Sequence, residues 1–163
     1  MTNGSRAFYQ ATEKIKNFLL GLDEVNTVTF GDIRELDLNK QTMFPLAHVM
    51  VDNVSLASGT MTFQITVLAM DVVHVNKLEY VTTNTEVDNT FYGIDNEQDV
   101  LNSQLAVVNL LNQSLTRSQL RTDKFELTGT ASCEPFVDRF ENKLAGWAYT
   151  FSAFVENDIN ICE

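Results

Sequence analysis

The chain has 163 residues, of which 44% are hydrophobic and 20% are charged, and its formal net charge is −11. This length and composition predict one folded domain over residues 1–163, with neither disorder nor low complexity. The 11 basic residues are scattered among 22 acidic ones, which disfavours binding to the outside of DNA or RNA, because neutralising phosphates requires clustered lysine and arginine. The acidic balance can serve solubility, or it can repel a polyanion that passes along the protein surface.

Neither a membrane span nor a secretory signal is predicted. No stretch approaches the roughly 18 apolar residues that a spanning helix needs, and the N-terminal region is too polar to be a signal peptide. Cys133 and Cys162 are the only cysteines, and they fit a reducing cytosol, in which thiols stay free. We therefore expect a protein made in a cytosol, without membrane contact and with both thiols unpaired.

The first elements are a helix and a short strand. Apolar residues recur at helical spacing between Arg6 and Leu22, which predicts a helix over that range. The following "NTVTFGDI" predicts a strand with Val28 and Phe30 on one side, ended by Gly31. "RELDLNKQT" is typical of a polar connection.

A long hairpin comes next. "MFPLAHVMVDNV", from Met43 to Val54, is apolar on both faces, with Pro45 near its start. After the turn-forming "SLASG", the stretch "TMTFQITVLAMDVV" alternates apolar and polar residues, as a half-buried strand does. The two runs predict paired strands that lie against a helix on one side.

A polar loop and a second helix follow the hairpin. Residues Asn76 to Tyr92 are rich in Asn, Thr and acids and have no period, which predicts a mobile or partner-binding loop. Asp95 is then a candidate N-cap for a helix over Gln98–Leu115. Its apolar stripe is wide, including Ala106, Val107 and Leu110, which favours packing across the sheet.

Two alternating stretches complete the chain. "DKFELTGTA" and "AGWAYTFSAFV" each predict a half-buried strand. The stretch between them, "CEPFVDRFENKLAG", contains Pro135 and ends at Gly146, and is predicted to be a connecting loop. The predicted fold is α+β, a mainly antiparallel sheet with two long hairpins and two helices packed on it.

Signals for catalysis, cofactors or metals are weak. A reactive thiol at Cys133 would need a nearby base, while His48 and His74 lie elsewhere in the sequence and in apolar strands. A lone strand histidine is more often a structural residue than a metal ligand. No nucleophile triad, phosphate-binding glycine loop or dinucleotide fingerprint is present in the sequence. We therefore predict no catalytic, cofactor-binding or metal-binding residues, and an enzyme is the less favoured class.

The predicted loop between the last strands is instead a candidate subunit interface. Asp138, Arg139 and Glu141 can form charge-assisted hydrogen bonds with each other or with a neighbouring copy, and Phe136 and Phe140 add apolar surface. The alternative is a solvated ion pair that contributes little energy.

Most of the sequence resembles one family of proteins. The stretches "FGDIRELDLNKQTMFPLAHVMVDNV", "TFQITVLAMDVV", "DVLNSQLAVVNLLNQSL" and "CEPFVDRFENKLAGWAYTFSAFVENDI" are similar to small virion proteins of tailed bacteriophages. The order of elements resembles that of the tail terminator, or tail completion, proteins. No short motif defines those proteins, so the resemblance assigns no role to any single residue.

The resemblance implies a structural role in the virion. Tail terminator proteins form a ring, usually hexameric, that caps the tail tube and joins it to the head connector. The implied partners are therefore further copies of the chain, the tail tube and the connector, with DNA passing through the lumen without specific binding. The implied localisation is the virion, after synthesis in the host bacterial cytoplasm. The alternatives are a tail tube or other neck ring protein and, from a different class, a small cytosolic ligand-binding protein or enzyme.

Overall fold

Two helices and five strands form the fold of the described residues. The computed structural model describes residues 4–36, 41–74, 96–117, 125–137 and 143–156. The elements in chain order are α1 (Gly4–Leu20), β1 (Thr27–Phe30), two short 3₁₀ turns (Ile33–Glu35 and Gln41–Met43), β2 (Leu46–Ala57), β3 (Thr60–Val72), α2 (Glu97–Arg117), β4 (Phe125–Val137) and β5 (Leu144–Glu156). This composition confirms the predicted α+β fold.

The strands form a single sheet in the order β1-β2-β3-β5-β4. β1 is parallel to β2, and every other neighbouring pair is antiparallel. The two predicted hairpins are present as β2–β3 and β4–β5, and β3 and β5 lie side by side in the centre. β1 and β4 therefore form the two edges of the sheet.

Both helices pack on the same face of the sheet, which we call the helix face. α1 contributes Ala7, Ala11, Ile15 and Leu19 to the core there, four residues at the spacing of one helical stripe. The odd-numbered residues of β3 from Phe63 to Ala69 and of β5 from Tyr149 to Val155 complete that core, as the alternation of side chains along a strand requires. Two hydrogen bonds join α2 to β5: Trp147 Nε1 donates to the carbonyl oxygen of Leu101 at 2.8 Å, and the Tyr149 hydroxyl donates to Asn112 Oδ1 at 2.8 Å.

On the opposite face, which we call the second face, the described residues cover one end only. A smaller apolar cluster of Leu46, Leu68, Met70, Phe136 and Leu144 lies there, and partly buried residues of the segment between β1 and β2 pack against it. Away from that cluster the second face is mostly polar, although Phe154 also lies on it, opposite Thr62 and Glu126. The Thr66 hydroxyl donates to Asp52 at 2.6 Å and lies 3.0 Å from the Thr150 hydroxyl.

The predicted loop from Cys133 to Gly146 is wrong at both ends. Cys133–Val137 belong to β4 and Leu144–Gly146 belong to β5. Pro135 lies on an edge strand, where a missing N–H donor does not break the ladder. Gly146 is buried in β5 opposite Met70 of β3, and a Cβ there would meet the backbone of Ala69. Pro135 therefore does not end β4, and Gly146 lies inside β5, in agreement with the predicted strand "AGWAYTFSAFV" and not with the predicted end of the loop.

The predicted helices agree with the structure to within two residues. α1 spans Gly4–Leu20 where Arg6–Leu22 was predicted, and α2 spans Glu97–Arg117 where Gln98–Leu115 was predicted. Asp95, the predicted N-cap of the second helix, and the loop from Asn76 to Tyr92 lie outside the described residues.

Candidate assembly surface

One edge of the sheet is long and open. β4 pairs with β5 on one side, and no described strand pairs with its other side. Most of its 13 residues are exposed. The pairing is interrupted between Thr128 and Ser132, where Gly129 adopts a φ of 71°, a value that favours glycine. The bulge and Pro135 both limit how far another strand can extend along this edge.

The other edge has a different shape. β1 covers β2 only from Leu46 to Val49, so the outer side of β2 from Val51 to Ala57 has no strand partner in the described part of the chain. This stretch and its turn form an open strand edge of the sheet, which we call the arm and define as residues 51–60. Leu56 on the arm is 75% exposed and Val54 is 38% exposed. An arm with unpaired backbone groups and exposed apolar side chains is suited to contact another protein surface.

A cleft lies between α1 and β1, on the helix face beside the arm. Its volume is about 310 Å³, and its walls include Phe8, Tyr9, Phe30 and Val49. Tyr9 and Phe30 are at least half exposed, so the cleft extends the apolar surface of the arm along this edge. Its charged lining residues, Glu13 and Lys16, are paired with each other at 3.5 Å.

The four long strands carry charge of one sign only. β2, β3, β4 and β5 contain no lysine or arginine, and they contain the carboxylates of Asp52, Asp71, Glu126, Glu134 and Glu156. Asp52 hydrogen bonds on the second face, and the pairing register places Glu126 and Glu134 on that face also. Apart from Phe154, the part of the second face that the described residues leave open is therefore acidic and rich in hydroxyl groups.

The structure describes one of the five predicted interface residues. Phe136 is only 6% exposed and belongs to the apolar cluster on the second face, so its ring is part of the chain's own core. Asp138, Arg139, Phe140 and Glu141 lie outside the described residues. The contact features missed by the sequence prediction are the arm and the open edge, and the signal for the arm was the apolar pair Val54 and Leu56 beside a turn.

His48 is a structural residue, as predicted. Its Nε2–H donates to the carbonyl oxygen of Gly31 at 3.0 Å, and its Nδ1 accepts from the Thr29 hydroxyl at 2.7 Å. The carbonyl can only accept, so Nε2 carries a proton, and in the neutral ring Nδ1 is therefore the acceptor. Burial lowers the pKa of His48, against smaller opposing effects of the hydrogen bond to Gly31 and the charge of Asp32. The ring holds β1 against β2.

Cys133 is free and exposed on β4, and Cys162 lies outside the described residues. Although the residue is exposed, its thiol loses part of its hydration beside Tyr149, its register partner on β5, and this desolvation raises the pKa of Cys133. A catalytic thiol needs the opposite shift. Within the described residues, no group of three or more His, Cys, Asp or Glu side chains could hold a metal ion.

The described helices include none that is long and apolar enough to cross a membrane. In the comparisons with known proteins, no protein-family model matches the chain and no curated protein matches its sequence.

Proposed function

We propose that this chain is a ring-forming structural subunit of a tailed phage neck or tail, similar to a tail terminator, which joins the tail tube to the head connector. The observation that carries the proposal is the presence of two unlike open edges on one sheet. β4 offers a long strand edge on one side, and the arm of residues 51–60 offers a shorter open edge on the other.

Unlike edges favour head-to-tail association. A ring needs a different patch on each side of the subunit and a rotation that closes after a fixed number of copies. In the proposed contact, the arm of one copy packs along β4 of the next, and Leu56 becomes buried. Pro135 and the bulge at Gly129 confine any backbone pairing to short stretches, which sets the register and prevents open-ended strand addition.

The charge of the strands fits a channel that nucleic acid passes through. The open part of the second face carries Asp52, Glu126 and Glu134 and no basic residue from the four long strands. A wall of this kind repels phosphate groups and does not retain DNA. The proposed role for DNA is therefore passage without specific binding.

The arm can be tested by placing a charge on its most exposed apolar residue. Leu56→Glu is expected to abolish ring particles in negative-stain images of the purified protein at high concentration, because the contact would bury a carboxylate without a partner. Leu20→Glu is the matched control, since Leu20 is a 49% exposed leucine on α1 and is not part of either edge. Circular dichroism checks that both variants fold.

Three outcomes decide the proposal. Rings in the wild type and in Leu20→Glu, but not in Leu56→Glu, support it. Rings that persist in Leu56→Glu contradict the role of the arm. A wild-type protein that stays monomeric and binds a small molecule in the cleft between α1 and β1 supports the alternative of a ligand-binding protein, since the cleft is at the lower end of the volumes that ligand sites occupy.

A further inference from the structure

The outward side of α2 carries no charge over most of its length. Between Asp99 and Arg117 the helix contains no acidic or basic residue, although one residue in five of the whole chain is charged. Solvated helix faces in soluble proteins normally carry charged side chains. An uncharged outer face in a chain with a net charge of −11 therefore needs an explanation.

The side chains on this face are exposed in the described structure. Seven residues of α2 point away from the sheet: Asn102, Ser103, Leu105, Ala106, Asn109, Leu110 and Gln113. Leu105 is 40% exposed and Leu110 is 43% exposed. The wide apolar stripe of the sequence prediction is thus divided: Val107 faces the core, while Ala106 and Leu110 face outward.

The outer face has a self-complementary pattern. A helical repeat of 3.6 residues puts Asn102, Ala106, Asn109 and Gln113 along one line, with Leu105 on one side of the line and Leu110 on the other. When the line is inverted, Asn102 falls opposite Gln113, which also ends in an amide, and Ala106 falls opposite Asn109, so that a small side chain meets a medium-sized one. Such a pattern fits against an inverted copy of itself.

We propose that the outer face of α2 pairs with the same face of a second copy, antiparallel and about a two-fold axis near the middle of the helix. Asn102 of each copy then lies opposite Gln113 of the other, so that their amides can form reciprocal hydrogen bonds. Ala106 lies opposite Asn109 of the second copy, and its small side chain lets the helices approach closely. Leu105 and Leu110 are removed from water at the sides of the contact.

The charges at the two ends of α2 favour the antiparallel orientation of the second copy. Asp99 in the first turn and Arg117 in the last turn are both exposed, and they lie on the same side of the helix. The antiparallel arrangement brings Asp99 of each copy beside Arg117 of the other, which gives one ion pair at each end. A parallel pairing would instead bring like charges together at both ends.

The pairing is expected to be weak and concentration-dependent. One helix pair buries less than the roughly 800 Å² per partner of a standard interface, so a dissociation constant in the range of about 1 to 100 µM is expected. Analytical ultracentrifugation over this range should show a reversible monomer–dimer equilibrium. Leu110→Glu should raise the dissociation constant at least tenfold, while Leu56→Glu, on the arm, should leave it unchanged.

The orientation is tested by two double variants at the same two positions. Asn102→Glu with Gln113→Glu places like charges opposite each other in the antiparallel pair, and should raise the dissociation constant at least tenfold. Asn102→Glu with Gln113→Lys places opposite charges there, and should keep it within about threefold of the wild-type value. Far-ultraviolet circular dichroism and thermal unfolding check that both variants keep the fold.

Each outcome decides the proposal. If the two double variants raise the dissociation constant equally, the antiparallel register is contradicted. If neither variant changes the dissociation constant, the contact does not involve the outer face of α2. A protein that remains monomeric throughout the concentration range overturns the pairing itself. The inference does not depend on the ring, because the two sheet edges stay open in the pair, and Leu56→Glu and Leu110→Glu separate the two contacts.

Discussion

Gly146→Ala is expected to destabilise the protein severely. Gly146 lies in β5 and pairs with Met70 of β3. An added Cβ would overlap the carbonyl oxygen of Ala69 and lie 2.8 Å from the Cα of Met70. Both obstacles are backbone atoms of a central strand, which cannot move without disturbing the pairing of β3 with its two neighbours.

The magnitude follows from the kind of atoms involved. Overpacking in a core costs about 1–3 kcal/mol when side chains can adjust, so we expect Gly146→Ala to lower the free energy of unfolding by more than about 3 kcal/mol. Gly21→Ala is the matched control. Its Cβ would lie 3.4 Å from the carbonyl oxygen of Phe18, an ordinary contact, and the same substitution there should stabilise by up to about 1 kcal/mol by restricting the unfolded chain.

Urea unfolding followed by the fluorescence of Trp147, the only tryptophan, measures both effects. With a slope of about 1–3 kcal/mol per molar urea, the midpoint of Gly146→Ala should fall by at least about 1 M, and the midpoint of Gly21→Ala should stay or rise. A midpoint for Gly146→Ala within about 0.3 M of the wild-type value would refute the close approach of β5 to β3 at this residue.

Three further predictions concern single side chains. The pKa of His48 is lowered in the folded state, so the contribution of this residue to the free energy of unfolding should be largest above the unfolded pKa of about 6.5. As the pH drops below that value, the free energy of unfolding should fall by at most about 1.4 kcal/mol per pH unit. His48→Gln should remove this part of the pH dependence in urea titrations. Tyr149→Phe removes the hydrogen bond to Asn112 and should lower the free energy of unfolding, measured in urea, by about 0.5–1.5 kcal/mol. A decrease below about 0.3 kcal/mol would contradict a bond that holds α2 to the sheet. The raised pKa of Cys133 predicts slower alkylation at pH 8 than for a thiol in the unfolded chain, and equal rates in native and denaturing buffer would contradict that shift.

The periodicity of apolar residues predicted those helices and strands that bury one face and expose the other. α1 places a single apolar stripe on the sheet, and β3 and β5 alternate between the helix face and the second face, so the pattern in the sequence reports the packing directly. The first hairpin was predicted from a run that is apolar on both faces and an alternating run, with "SLASG" as the turn between them. The turn is shorter than predicted, because Ser55–Ala57 belong to β2 and only Ser58 and Gly59 form the turn.

The structural role of a residue could not be predicted where it depends on which strand lies beside it or on how the helix packs. Pro135 is compatible with a strand only because β4 is an edge, and Gly146 is required in a strand only because Ala69 lies against it. Neither fact is local in the sequence. Leu110 was likewise assigned to the core by its apolar character, and only the packing of α2 shows that it faces outward.

The candidate contact surfaces were the least predictable part. The sequence predicted an interface at charged residues near Arg139, which lie outside the described residues and stay a prediction. The described structure adds the arm around Leu56 and the open edge of β4 as candidates. An edge is defined by which strand has no neighbour, and that depends on the order β1-β2-β3-β5-β4. No local pattern encodes this order.

The central claim is that the chain is a ring subunit of a phage neck or tail, and its position in a virion tests this most directly. A cryo-electron microscopy map of purified virions that carry this chain should show a closed ring at the neck or along the tail. The sheet and both helices should fit each subunit of that ring, with the arm of one copy against β4 of the next. Virions whose neck and tail densities are all accounted for by other proteins, with no density of this fold, would contradict the claim.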